Sequence, residues 1–202
     1  MDEKQNLAKK IIVTDGCFES PIVYRNFWSS KVLDNLNGKI QDWRHGELLM
    51  KCQLTSWPPG VIADSGPILI FDLSNDEEFL ADIKSELNVI YDIFAPDWVS
   101  GSMHIFLNGG YIPWHDDSHC CFTSTTYLNR EEWNYNWGGA LMYKNKHGEL
   151  HAEFPEYNKM IVQSGYFSKK NNMAHGTTHL SSSSIPRISL ELHAGFSDWS
   201  GV

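Results

Sequence analysis

The sequence predicts one α+β domain, mainly β, with a barrel or jelly-roll core and helices in its N-terminal half. Three observations predict it. Two early segments carry apolar residues at helical spacing. From about Ser102 onward the chain becomes a series of short alternating segments separated by Gly and Asn turns, the pattern of an antiparallel barrel or sandwich. The chain has 202 residues, 42% of them hydrophobic, which suits a single core. The expected organisation is helical support over roughly residues 1–100 and a core over roughly 101–195.

The first helix spans Ser29 to Trp43, with Val32, Leu33, Leu36, Ile40 and Trp43 on one face and Ser29 or Ser30 as N-cap. Ser74-Asn-Asp-Glu77 reads as a capping box. It opens a second helix with Phe79, Leu80, Ile83, Leu87, Ile90, Tyr91 and Phe94 on one stripe, and Pro96 just past its end. In the first core strand Met103, Ile105 and Leu107 alternate with Ser102, His104 and Phe106, until Gly109-Gly110 breaks it. Strands follow over Phe122–Asn129 and Ala140–Tyr143. Asn145–Gly148 is a turn, and Glu149–Phe154 returns as the hairpin partner. Lys159–Gln163, Ser164–Ser168, Met173–Thr178 and Arg187–His193 complete the set, and Ser181–Ser184 is a loop. On the last strand Arg187, Ser189, Glu191 and His193 share one face. Ile188, Leu190 and Leu192 share the other, which is expected to pack outward against the helices.

Composition removes several functions. The net charge of −9 disfavours binding to a phosphate backbone. The sequence has no apolar run of membrane-spanning length. The polar start from Met1 to Lys10 lacks a signal-peptide core, so a cytoplasmic protein is expected. Cys17, Cys52, Cys120 and Cys121 form no CxxC pair, which speaks against a thiolate zinc site, and a disulfide framework is not expected. Nine histidines are many for this length and direct attention to a metal.

The sharpest local feature is Trp114-His115-Asp116-Asp117. On extended chain His115 and Asp117 point the same way, as two legs of a 2-His-1-carboxylate triad, which holds Fe(II) by one face and leaves positions open. The second histidine must come from elsewhere: His147, His151, His175, His179 or His193. An inward Arg187 and Ser189 need a partner, because an unpaired buried charge is costly. A dicarboxylate suits the planar donor fork of Arg.

Four ordered pieces resemble the Fe(II)/2-oxoglutarate-dependent dioxygenases, in particular their prolyl 4-hydroxylase-like branch. They are Gly109-Gly-Tyr-Ile-Pro-Trp-His115-Asp-Asp117, Thr123-Ser-Thr-Thr-Tyr127-Leu-Asn129, Trp137-Gly-Gly-Ala-Leu141, and His175 through Arg187-Ile-Ser189. The segment from Pro155 to Val162 also resembles the strand before the family's distal histidine. Together these cover roughly Met103 to His193. The resemblance implies a double-stranded β-helix (jelly-roll) core with the N-terminal helices on one outer face. It implies that His115, Asp117 and His175 bind Fe(II), with His179 as the rival distal ligand. Arg187 would pair with the far carboxylate of 2-oxoglutarate, assisted by Ser189 and by the hydroxyl of Tyr127. His119 is a candidate neighbour of the site. The family tyrosine on the strand before the Gly-rich turn is missing from His104–Asn108, and Tyr111 is the candidate substitute.

The implied reaction is hydroxylation of an unactivated C–H bond, with O2 as co-substrate and decarboxylation of 2-oxoglutarate to succinate and CO2. Ascorbate is the implied reductant. Asp117 points to hydroxylation, since halogenases of the superfamily lack that carboxylate. A prolyl or other peptidyl substrate leads, and a free amino acid or small metabolite is the alternative. Trp133, Tyr135 and Trp137 are placed either at the site mouth or over the barrel edge. The competing classes are a non-catalytic jelly-roll binding module, a zinc hydrolase and a nucleic-acid demethylase. No membrane or nucleic-acid partner is expected.

Overall fold

The computed structural model describes residues 21–46, 53–55, 65–91, 98–117, 120, 122–145, 147–163 and 174–195. The expected strand Ser164–Ser168 lies outside them, as do His119, Cys17, Cys52, Cys121, Phe94 and Pro96. No described helix is long and apolar enough to cross a membrane.

Ten strands and two α-helices make up the described fold: β1 (Ile22–Arg25), α1 (Ser30–Arg44), β2 (Gln53–Thr55), β3 (Ile68–Asp72), α2 (Glu77–Tyr91), β4 (Trp98–Phe106), β5 (Phe122–Tyr127), β6 (Leu141–Lys144), β7 (Leu150–Glu153), β8 (Lys159–Gln163), β9 (His175–Thr177) and β10 (Arg187–Gly195). Seven strands form one antiparallel sheet in the order β1-β8-β5-β10-β4-β3-β2, and three form a second in the order β7-β6-β9. A cavity of about 570 Å³ lies between the sheets, lined by residues of both.

The central strand β10 explains why the large sheet has two different faces. Ile188, Leu190, Leu192 and Ala194 are buried on one face. They join a single apolar cluster with Val32, Leu36 and Ile40 of α1, Phe79, Ile83 and Leu87 of α2, and Met103 and Ile105 of β4. The opposite face of β10 turns Arg187, Glu191 and His193 into the cavity. Tyr127 on β5 joins the two sheets: its hydroxyl donates to the Glu153 carbonyl of β7 (2.8 Å) and accepts from the Leu141 N–H of β6 (3.2 Å).

Two helix starts differ from expectation. Ser29 stands at the N-cap of α1 with extended backbone, but it makes no side-chain cap. Its hydroxyl and N–H both donate to Glu86 of α2, so the residue ties the helices together. The capping box at Ser74 is not formed. Helix α2 begins at Glu77, and Asp76 is its cap, with the carboxylate accepting from the Phe79 N–H at 3.1 Å. An Asp beside the positive helix end is a better cap than a serine two residues farther out.

The strands β1, β2 and β3 have no counterpart in the sequence reading. Each is short, and β2 and β3 form the sheet edge beyond β4. Leu190 tests the packing argument. Leu190→Ala is expected to lower stability by about 2–5 kcal/mol, as measured by urea unfolding; a loss below about 1 kcal/mol would contradict the burial described.

Candidate metal and anion site

The site begins with a main-chain bridge. The His115 N–H donates to the His175 carbonyl and the His175 N–H to the His115 carbonyl, both at 2.9 Å. This places the two imidazoles with ring centroids 4.2 Å apart. Gly176 permits the approach: a Cβ there would lie 3.0 Å from the Ile112 carbonyl oxygen and 3.1 Å from Pro113. Next to it, the Thr177 hydroxyl accepts from the Ile112 N–H at 2.7 Å.

The His115 Nδ1 lies 2.8 Å from the Pro113 carbonyl oxygen. A carbonyl only accepts, so Nδ1 carries the proton and Nε2 keeps its lone pair. That Nε2 is 3.6 Å from Asp117 Oδ1, and the His175 Nε2 is 3.3 Å from Asp117 Oδ2. One ligand atom from each of His115, Asp117 and His175 lies within 4.8 Å of the others, the spacing of a facial metal site. The rival His179 is exposed and stacks on Tyr111 at 3.8 Å. His147 and His151 are exposed on the β6–β7 hairpin, and His193 lines the cavity.

Electrostatics favour the metal-binding protonation states. Burial works against ionisation of Asp117, but His175 and His115 beside it outweigh this and hold its carboxyl well below the usual range. Burial, with His175 close by, pushes His115 down and keeps it neutral. A neutral imidazole and a carboxylate are the forms that bind a metal.

Arg187 is the second half of the site. It is 1% exposed, yet its Nε and Nη1 have no hydrogen-bond partner. The guanidinium lies 4.2 Å from the centre of the Phe106 ring and 5.0 Å from that of Tyr127. Stacking holds the plane of the fork but leaves donors unsatisfied. A buried cation with free donors in a cavity fits an anionic ligand.

Tyr127 lies against the Arg187 guanidinium and Ser189 stands two residues along β10, but neither lines the cavity, and their hydroxyls are already engaged. The Tyr127 hydroxyl bridges the sheets, and the Ser189 hydroxyl donates to Glu191 Oε1 at 2.6 Å. Trp133 is buried and donates to the Gly138 carbonyl at 2.9 Å, and Trp137 packs against it edge to face. Those two cover the barrel edge, and Tyr135 is exposed beside Phe154.

Sequence reasoning assigned no role to His104 or Glu191, though both line the cavity. Their signal was parity: Glu191 shares its face with Arg187, and His104 alternates with the outward Met103 and Ile105. Burial pushes the His104 imidazole down to about 4, so it is neutral in the fold. An unfolded histidine takes up a proton below its ordinary value of 6.5, so the unfolded state binds more protons between pH 6.5 and pH 4. Stability is therefore expected to fall through that window by about 3 kcal/mol on account of His104. Urea unfolding at several pH values measures it, and His104→Asn should flatten the slope. An unchanged slope would contradict the neutral buried assignment.

No family model and no curated protein matches the sequence. Solved structures do match. A prolyl 4-hydroxylase from Pseudomonas putida superposes with a TM-score of 0.68 at 14% identity, covering 96% of this chain and 98% of that one. A prolyl hydroxylase from Trichoplax adhaerens, solved with a peptide fragment of a hypoxia inducible factor, gives a TM-score of 0.71 at 12% identity, covering 96% and 90%. The collagen prolyl hydroxylase of Paramecium bursaria Chlorella virus-1, in its 2-oxoglutarate complex, gives 0.54 at 15% identity, covering 87% and 95%. The chain thus has the jelly-roll fold of the prolyl hydroxylases, with a His-Asp-His cluster capable of holding a metal.

Proposed function

We propose that this protein is an Fe(II)- and 2-oxoglutarate-dependent dioxygenase that hydroxylates an unactivated C–H bond, in the manner of a peptidyl or prolyl hydroxylase. The observation that carries the reading is Arg187, a buried cation with two unsatisfied nitrogens in the same cavity as the His115–Asp117–His175 cluster. A metal triad alone fits several reactions. A triad paired with an anion-binding arginine in one cavity selects a ligand that meets the metal at one end and carries a carboxylate at the other.

In this reading His115, Asp117 and His175 hold Fe(II), and Arg187 holds the far carboxylate of 2-oxoglutarate. When bound, the metal and the 2-oxo acid supply the oxidation: O2 is consumed, 2-oxoglutarate becomes succinate and CO2, and a substrate carbon gains a hydroxyl group. Ascorbate is the external reductant. The residues provide orientation. The Pro113 carbonyl fixes the His115 tautomer. The His115–His175 bridge sets the spacing of two ligands. Phe106 and Tyr127 keep the Arg187 fork facing one way. The peptide in the Trichoplax complex supports a peptide substrate.

Anaerobic titration tests the reading. Fe(II) and 2-oxoglutarate together should give a visible charge-transfer band that neither gives alone, and admitting O2 should yield succinate. His175→Ala should abolish the band. Arg187→Ala should weaken 2-oxoglutarate by about 10-fold or more, from the loss of charge-assisted hydrogen bonds, with metal affinity little changed. Absence of the band in the intact protein, or unchanged cosubstrate affinity in Arg187→Ala, would refute the assignment.

A further inference from the structure

Glu191 is unexplained by the reading above, and it sits in the same cavity. It lies four positions after Arg187 on the inward face of β10, about 13 Å along the strand. One oxygen accepts from the Ser189 hydroxyl at 2.6 Å and the other from the Thr125 hydroxyl at 2.5 Å. Two hydroxyls thus fix the plane of the carboxylate and leave lone pairs on both oxygens. Among the described residues no Lys or Arg pairs with it within ion-pair distance.

The surroundings favour a donor-rich, positively charged guest. Register places Ser102 beside Glu191 on one side and Thr125 on the other, with Ser100, His193 and Thr123 in the next row. Gln163 pairs with Thr123, so that row is polar across four strands. At the end of the cavity Trp98 lies across Gly195, where a Cβ would fall 2.6 Å from its Cζ2. An indole offers a favourable surface to a cation. Charge balance points the same way. With a divalent metal and a dianionic cosubstrate in place, the carboxylates lining the cavity, Asp116, Asp117 and Glu191, outnumber its one arginine, and net negative charge is left over.

We propose that Glu191 binds a protonated aliphatic amine of the substrate, so that the hydroxylated C–H bond belongs to an amine-bearing molecule. This rests on the dioxygenase reading but replaces the prolyl peptide, whose amide nitrogen carries no charge, with an amine-bearing substrate. Two sources carry the same chemistry: a free amino acid, and a lysyl side chain in a peptide. The carboxylate orients the amine, and the metal cluster faces the carbon chain attached to it.

NMR titration tests the proposal on the intact protein, loaded anaerobically with Mn(II) and 2-oxoglutarate. The probes are free L-proline, free L-lysine, acetyl-Gly-Lys-Gly-amide and the neutral acetyl-Gly-Pro-Gly-amide. At least one amine-bearing probe should bind, and the neutral peptide should bind at least 10-fold more weakly. Binding by the free amino acids alone identifies a free substrate, and binding by the lysyl peptide identifies a side chain. Glu191→Gln keeps the size and should weaken the amine about 10-fold or more, with 2-oxoglutarate affinity unchanged. Equal binding of the neutral peptide, or unchanged amine affinity in Glu191→Gln, overturns the proposal. So does bound 2-oxoglutarate with no amine bound. Should Glu191→Gln fail to fold, the comparison of charged and neutral probes on the intact protein decides alone. If 2-oxoglutarate itself does not bind, the dioxygenase reading falls and takes this inference with it.

Discussion

The structure depends on the register of β10. This strand is central in the seven-stranded sheet, paired with β4 on one side and β5 on the other. Its alternate residues serve opposite purposes. Ile188, Leu190, Leu192 and Ala194 fill the core under the helices, while Arg187, Glu191 and His193 enter the cavity. A slip of one residue would send a guanidinium and a carboxylate into the apolar core and four apolar side chains into the cavity. Core burial therefore fixes the position of the charged groups, and the helices that cover the outer face support the site without touching it.

The small sheet completes the arrangement. The His175 main chain on β9 is tied to His115, and the Tyr127 hydroxyl reaches from β5 to β6 and β7. These bonds hold the His115–Asp117–His175 cluster opposite the large sheet and keep the cavity open between them. The cavity collects opposite charges at fixed positions: Arg187 with its unsatisfied donors, the acidic Asp117 beside His115 and His175, and Glu191 clamped by two hydroxyls. Charged groups are costly to gather in a cavity without a ligand, most of all the buried Arg187. A protein that retains all of them is shaped for guests that neutralise them.

Much of this was legible in the sequence because it follows from periodicity. The two helices and the strands from β4 to β10 come from spacing, which also puts His115 and Asp117 on one face; their role as metal ligands was implied by family resemblance. His175 over His179 came from family resemblance, and the structure explains the choice through Gly176, whose missing side chain admits the Ile112–Pro113 segment. The strands β1 to β3 were not legible, since each is short and its pairing partner is remote in sequence. The cap at Asp76 was missed because local pattern cannot rank two acceptors two residues apart. Glu191 and His104 were undervalued for a different reason. Parity shows which way a side chain points, but only the assembled sheets show that the space it enters is a cavity shared with Arg187.

The central claim is that Arg187 stands in the cavity to hold the far carboxylate of a 2-oxo diacid. Comparing 2-oxoglutarate with 2-oxopentanoate measures this most directly, because the two have the same chain length and differ in that carboxylate. Calorimetric titration into the wild-type protein loaded anaerobically with Mn(II) gives both affinities. The account predicts that 2-oxoglutarate binds at least about 10-fold more tightly, as charge-assisted hydrogen bonds to a buried guanidinium require. Equal affinities would contradict it.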